Sequence, residues 1–104
     1  MSRQFDVYPN PSRTGREDRP FVIVVQHLFF DDMPTRVVAP LVLTRAIRPR
    51  LRLNPAVIVE KRDLYFSPTE MFTISLKYLR NPIANLEADR DRIVAAIDLL
   101  LTGI

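Results

Sequence analysis

Asn85 to Ile104 reads NLEADRDRIVAAIDLLLTGI, and its spacing predicts a helix running almost to the last residue. Leu86, Ile93, Ile97, Leu100 and Ile104 recur at helical intervals, with Val94 and Leu101 widening the apolar stripe. Asn85 is a candidate N-cap, Glu87 and Asp89 place negative charge where the helix dipole favours it, and Gly103 stands where a left-handed closing residue is expected. At about 100° per residue, Leu86, Arg90, Ile93, Val94, Ile97, Leu100 and Leu101 share an inward arc. Glu87, Asp91, Asp98 and Thr102 form a polar strip. Ala88, Arg92, Ala95 and Leu99 make a third, partly apolar face, a candidate contact for a second copy or a partner. A helix with such a stripe needs a surface to cover, and upstream the sequence offers strands.

Gln4 to Tyr8 alternates and predicts a short half-buried strand; Pro9 to Pro20 (PNPSRTGREDRP) predicts an exposed loop. Phe21 to Phe30 (FVIVVQHLFF) is β-branched and aromatic and predicts the central strand. Asp31 to Pro34 turns the chain, and Thr35 to Val38 returns antiparallel to it. Pro40 to Pro55 mixes leucines, prolines and arginines and predicts a basic flap of irregular strand or a turn of helix. Val57 to Glu60 and Asp63 to Phe66, joined at Lys61-Arg62, predict a second hairpin. After a loop at Ser67 to Glu70, Met71 to Leu79 alternates again, and Asn81-Pro82 breaks the chain before the helix. Short strands, tight turns and one terminal helix predict an α+β, mostly β fold: an antiparallel sheet or open barrel with the helix packed on it.

The 104 residues are expected to form a single domain, residues 1–104, and a chain of this size buries roughly 65% of its unfolded surface. There is no cysteine, which excludes disulfides, thiolate metal sites and a cysteine nucleophile. No apolar run is fit for a signal peptide or a membrane span, so a soluble, cytoplasmic protein is expected. The formal charge of +3 is unevenly distributed: Arg36 to Arg62 holds seven basic residues against Glu60 alone. Two glycines against nine prolines predict stiff loops.

Few residues suggest chemistry. His27 is the one histidine, within an apolar stretch, and is read as structural. Asp31-Asp32 reads as a turn rather than a cation site. The Arg45 to Arg52 cluster could meet phosphates or an acidic protein, but no aromatic residue is interleaved with it, so base stacking is not expected there. No catalytic set, metal site or cofactor is expected.

Taken together the chain resembles the CcdB family, toxins of bacterial toxin–antitoxin modules that poison DNA gyrase. The resemblance rests on Gln4-Phe5, Val7-Tyr8, Phe21-Val22, Val25-Gln26, Val37-Val38, Pro40-Leu41, Leu86, Ala96-Ile97, Leu99 and Gly103-Ile104, in that order and spacing. It implies an SH3-like antiparallel barrel with a small β wing and a C-terminal helix, assembled as a homodimer. It also implies that the paired C-terminal ends enter the cleft of the gyrase A subunit and trap gyrase on cleaved DNA, while a disordered antitoxin removes the toxin. Such a protein is not an enzyme, needs no cofactor and binds no nucleic acid directly. Carried over, the gyrase-binding residues are Gly103, Ile104, Thr102, Leu101, Asp98, Phe29 and Phe30. Thr102 stands where the best-known members carry Trp, Asp98 replaces a neutral amide, and Phe29-Phe30 replace paired aliphatic residues. Two rival readings are an endoribonuclease toxin on a related barrel and a CcdB-like interaction module without gyrase poisoning.

Overall fold

The computed structural model describes residues 2–104. Seven strands form one antiparallel sheet: β1 (Asp6–Pro9), β2 (Phe21–Val24), β3 (Thr35–Leu43), β4 (Ala56–Val59), β5 (Arg62–Phe66), β6 (Phe72–Ser75) and β7 (Ala84–Asn85). The sheet curls into a nearly closed barrel, and one helix, α1 (Arg90–Thr102), follows it. The expected mostly β architecture with a C-terminal helix is therefore the observed one.

The strand order is β4-β5-β3-β2-β1-β7, with β6 also paired to β3. Opposite β2, the long β3 has two partners in succession, β6 along Thr35 to Val38 and β5 along Leu41 to Leu43. Pro40 lies between them. Its carbonyl accepts from Ser67 N–H at 3.1 Å, so its missing donor faces the gap where one partner ends and the other begins. A proline in a central strand ordinarily loses a ladder bond; here there is none to lose.

Alternation along the strands splits the interior in two. Val7, Ile23 and Ala39 are in register across β1, β2 and β3 and join Phe21, Leu41, Leu64, Phe66, Ile93 and Ala96 in the main core. The intervening residues Tyr8, Val22, Val24 and Val38 pack on the opposite face with Leu79 and Ile74. β2 is consequently buried at all four positions, and β1 is buried on both faces rather than on one as its alternation suggests.

Several expected boundaries move. Gln4-Phe5 form a turn, not strand: Asp6 N–H reaches Arg3 O at 3.0 Å, its carboxylate accepts from Arg3 N–H, and Phe5 has φ of +69°. The central strand stops at Val24, because residues 28–30 close into a 3₁₀ turn. β6 stops at Ser75 for the same reason, with Leu76–Tyr78 turning back. The basic stretch after Pro40 begins as strand, since β3 runs on to Leu43. The second hairpin turns at Glu60-Lys61, not Lys61-Arg62, with Val59 opposite Arg62. Both turn residues lie in the left-handed region, at φ +51° and +64°. A two-residue hairpin wants that geometry, but Asn-Gly is its usual carrier, so the sequence does not announce it.

The helix begins at Arg90, five residues later than its periodicity suggests. Asn85 belongs to β7, and its carboxamide oxygen accepts from Glu87 N–H at 2.8 Å in a local turn that leads into a 3₁₀ turn. Ile93 and Ala96 are buried and Val94 and Ile97 half-buried, so the stripe packs on the sheet as expected. Arg90, Leu100 and Leu101 do not: Arg90 lies over the Phe5 ring and bonds Gln4, and the last turn overhangs the barrel.

These differences in burial predict different costs. Ile93→Ala removes buried methylenes at a site with no exposure and should cost about 3 kcal/mol, whereas Leu101→Ala should stay within about 0.5 kcal/mol. Urea unfolding of both variants measures the contrast. Replacing Glu60-Lys61 with Asn-Gly should raise stability by about 1 kcal/mol in the same assay.

Candidate functional site

The end of α1 is built to hold its last residues outward. Gly103 takes φ +77° and its N–H returns to Leu99 O at 2.9 Å, closing the helix with a left-handed residue. The Thr102 hydroxyl donates to Asp98 O at 2.6 Å and lies 3.4 Å from Ile104 N–H, which donates to it. The terminal amide is thus tied back to the helix while the side chain of Ile104 stays 87% exposed beside Leu101, 71% exposed. Asp98 is exposed and contributes its backbone carbonyl to this arrangement.

Phe29 and Phe30 sit in the turn between β2 and β3. Their rings meet edge to face at 5.5 Å, and Phe29 is 77% exposed, with Leu28 and Met33 also exposed nearby in the chain. A loop displaying so much apolar surface needs to be held. Gln26 bridges it, donating to Phe30 O and Thr35 O and accepting from Val37 N–H. Arg36 is buried on the second face of the sheet, and its guanidinium donates to the carbonyls of Asp31, Met33 and Thr35. Its Nε stands 3.8 Å from Asp31 Oδ1, and neither of those atoms has a hydrogen-bond partner. His27, outside the strand rather than within it, accepts from Phe29 N–H at 3.0 Å through Nδ1. It shapes the turn, as the structural reading of this residue expects.

The sequence singled out Phe29 and Phe30 but not Gln26 and Arg36, which fix them. A lone arginine before a Val-Val strand carries no such signal, because its three carbonyl acceptors are defined only once the loop folds over it. Among the described residues, no hydrogen bond, ion pair or aromatic contact joins the Phe29-Phe30 turn to the Leu101-to-Ile104 tip. Apolar side chains are thus exposed both at the Phe29-Phe30 turn and at the Leu101-to-Ile104 tip.

Other candidates resolve into structural roles. Asp31 faces Arg36 rather than pairing with Asp32, and among the described residues no three His, Asp or Glu side chains cluster as metal ligands. The flap's Arg48, Arg50 and Arg52 are exposed, with Leu51 at their centre 93% exposed. Between this flap and Asp91, Arg92 and Ala95 of α1 lies a groove of about 740 Å³, so part of the helix's third face borders it. Glu70 takes hydrogen bonds from Arg19 at 2.6 Å and from Ser67 at 2.7 Å, locking the loop before β2 onto the turn after β5. Burial pushes the Glu70 carboxyl up, but those two bonds and the Arg19 charge outweigh it and hold the group below its ordinary value. Burial raises the Tyr8 hydroxyl above its ordinary value.

A family model described as CcdB protein matches residues 4–103. The chain belongs to the CcdB family. Its class is therefore that of a toxin from a toxin–antitoxin module. No curated protein sequence matches this CcdB-family chain. Among solved structures it is similar to one described as an endoribonuclease in complex with its cognate antitoxin from Mycobacterial species. That match has a TM-score of 0.76 at 15% identity and covers 97% of this chain and 95% of the other. At that identity the likeness is one of fold. None of the described helices is long and apolar enough to cross a membrane.

Two measurements follow. A folded-state value below the ordinary 4.5 means that the Glu70 lock is fully present above that pH and is lost as pH falls through the lower folded value. The pair is partly exposed, so Glu70→Gln should lose no more than about 1 kcal/mol at neutral pH and show a flatter stability profile in acid, read by thermal unfolding against pH. Gly103→Ala meets no steric neighbour, so its cost is the left-handed backbone alone, about 1 kcal/mol by the same assay.

Proposed function

We propose that this CcdB-family protein acts as a homodimer that binds the gyrase A subunit through its C-terminal tip, traps the gyrase–DNA cleavage complex, and is released by an antitoxin. The observation that carries the reading is the apolar tip itself: Leu101 and Ile104 stand exposed on a turn fixed by Gly103 and the Thr102 hydroxyl. Exposing apolar side chains on an ordered, tethered end has a hydration cost in the free protein that burial against a partner recovers. The action is one of binding, not of catalysis. Its lone histidine is engaged in shaping a turn, and the close carboxylate–arginine–serine set of Glu70, Arg19 and Ser67 serves to join two loops.

The second apolar surface, Phe29 and Phe30 with Leu28, supports a role in the same complex or in the dimer contact. Its rigidity matters here, because a held loop loses less conformational entropy on binding than a floppy one. Asp98 and Thr102 complete the tip on its polar side. The antitoxin that belongs to this class of module would cover or compete for such surfaces.

An endoribonuclease reading is supported by the fold likeness to a protein so described and by the exposed arginines of the flap. Incubating the purified protein with RNA tests it, and intact RNA at high protein concentration removes it.

Deleting Gly103 and Ile104 should leave the barrel folded by circular dichroism and abolish both growth arrest and gyrase cleavage complexes; a folded deletion that remains toxic overturns the assignment. Thr102→Trp gives up two local hydrogen bonds but adds a large aromatic anchor. It should tighten gyrase binding by roughly tenfold or more in a pull-down or calorimetric titration.

A further inference from the structure

The basic run at Arg45 to Arg52 is not where the fold concentrates its cationic groove. That groove, about 760 Å³, lies where the β4–β5 tip approaches the segments around β1 and β2. Four cations line it, Arg16, Arg62, Lys77 and Arg80, against one carboxylate, Glu60. They come from the loop after β1, from β5, and from the turns after β6, so no stretch of sequence displays them together. All four are exposed, and among the described residues none is in an ion pair.

We propose that this groove binds an acidic polypeptide segment whose carboxylates alternate with aliphatic side chains. Unpaired like charges in one concavity repel one another, and their field draws and holds an anion. Their stems are already placed. The Arg62 guanidinium lies 5.6 Å from the Phe21 ring, the Lys77 ammonium lies 5.1 Å from the Tyr78 ring, and Arg16 and Arg80 donate to backbone carbonyls. Cations fixed in this way lose less rotamer freedom on binding. Between them lie Pro9, Pro11 and Pro20, apolar and without an N–H, which suit aliphatic side chains rather than more hydrogen-bonding groups.

A single nucleic-acid strand fits less well, since it wants successive stacking faces. Of the aromatics here Tyr8 and Phe21 are buried, and the face of Tyr78 already carries the Lys77 ammonium. The groove includes no residue of α1 or of the Leu28–Phe30 turn, so its occupant leaves Leu101, Ile104, Phe29 and Phe30 uncovered. The identity of the occupant as an antitoxin segment rests on the toxin–antitoxin reading; the acidic-segment specificity does not.

Fluorescence anisotropy on the full chain tests the proposal with three labelled probes: a peptide repeating Glu-Ala-Leu, the same peptide with Gln for Glu, and an oligouridylate RNA. The acidic peptide should bind, the neutral one should not, and added salt should weaken the complex. Arg62→Gln with Arg80→Gln should weaken peptide binding about tenfold, and Glu60→Gln should strengthen it. Circular dichroism confirms that each variant is folded. The proposal is overturned if the acidic peptide fails to bind, if the folded double variant binds it as well as wild type, or if RNA binds more tightly and is the probe that responds to the substitutions. Gyrase takes no part in this measurement, so failure of the groove and failure of the gyrase reading are separate results.

Discussion

β2 and the middle of β3 are buried on both faces, and the rest of the molecule is placed by the need to cover one face or the other. On the main side the β4–β5 hairpin and α1 close over Val7, Ile23 and Ala39, with Ile93 and Ala96 as the helix's buried contacts. On the other side, among the described residues, no α-helix is present, and Tyr8, Val22, Val24 and Val38 are covered by Leu79, Ile74 and the buried stem of Arg36. A buried guanidinium is costly unless its donors are met. Here the carbonyls of Asp31, Met33 and Thr35 meet the two terminal nitrogens and the Asp31 carboxylate faces Nε, so covering the second face and ordering the aromatic turn are one arrangement.

That coupling explains how a small protein displays apolar residues without letting them collapse. Phe29 and Phe30 cannot fold back onto the sheet, because Gln26, His27 and Arg36 hold the backbone on either side. At the other surface the helix outruns the barrel by about a turn. Leu100, Leu101 and Ile104 continue the spacing of the apolar stripe, but there is no sheet beneath them. The same periodicity that packs Ile93 inward thus presents Ile104 outward, and where the barrel ends decides which role each residue has.

Much of this was legible in the residues. The two hairpins, the terminal helix, its closure at Gly103 and the family itself follow from β-branched runs, turn-formers and the ordered motifs, while Phe29 and Phe30 are singled out by the family resemblance alone. What escaped did so for local physical reasons. Glu60-Lys61 occupies a left-handed turn with no Asn or Gly to mark it, and Gln4-Phe5 turns on a backbone bond to Arg3 that competes with strand pairing. Phe21 to Phe30 reads as one strand because β-propensity does not register a side chain such as His27 capping a 3₁₀ turn.

By itself the sequence determined which segments extend, which coil, and which end carries the Gly103-Ile104 terminus, because those depend on local spacing and backbone freedom. Only the tertiary structure decided which apolar residues are core and which are display, since burial depends on what lies opposite. It alone also moved the cationic centre of interest from the Arg45 to Arg52 run to Arg16, Arg62, Lys77 and Arg80, because charges distant in the chain share a field only when the fold brings them to one groove.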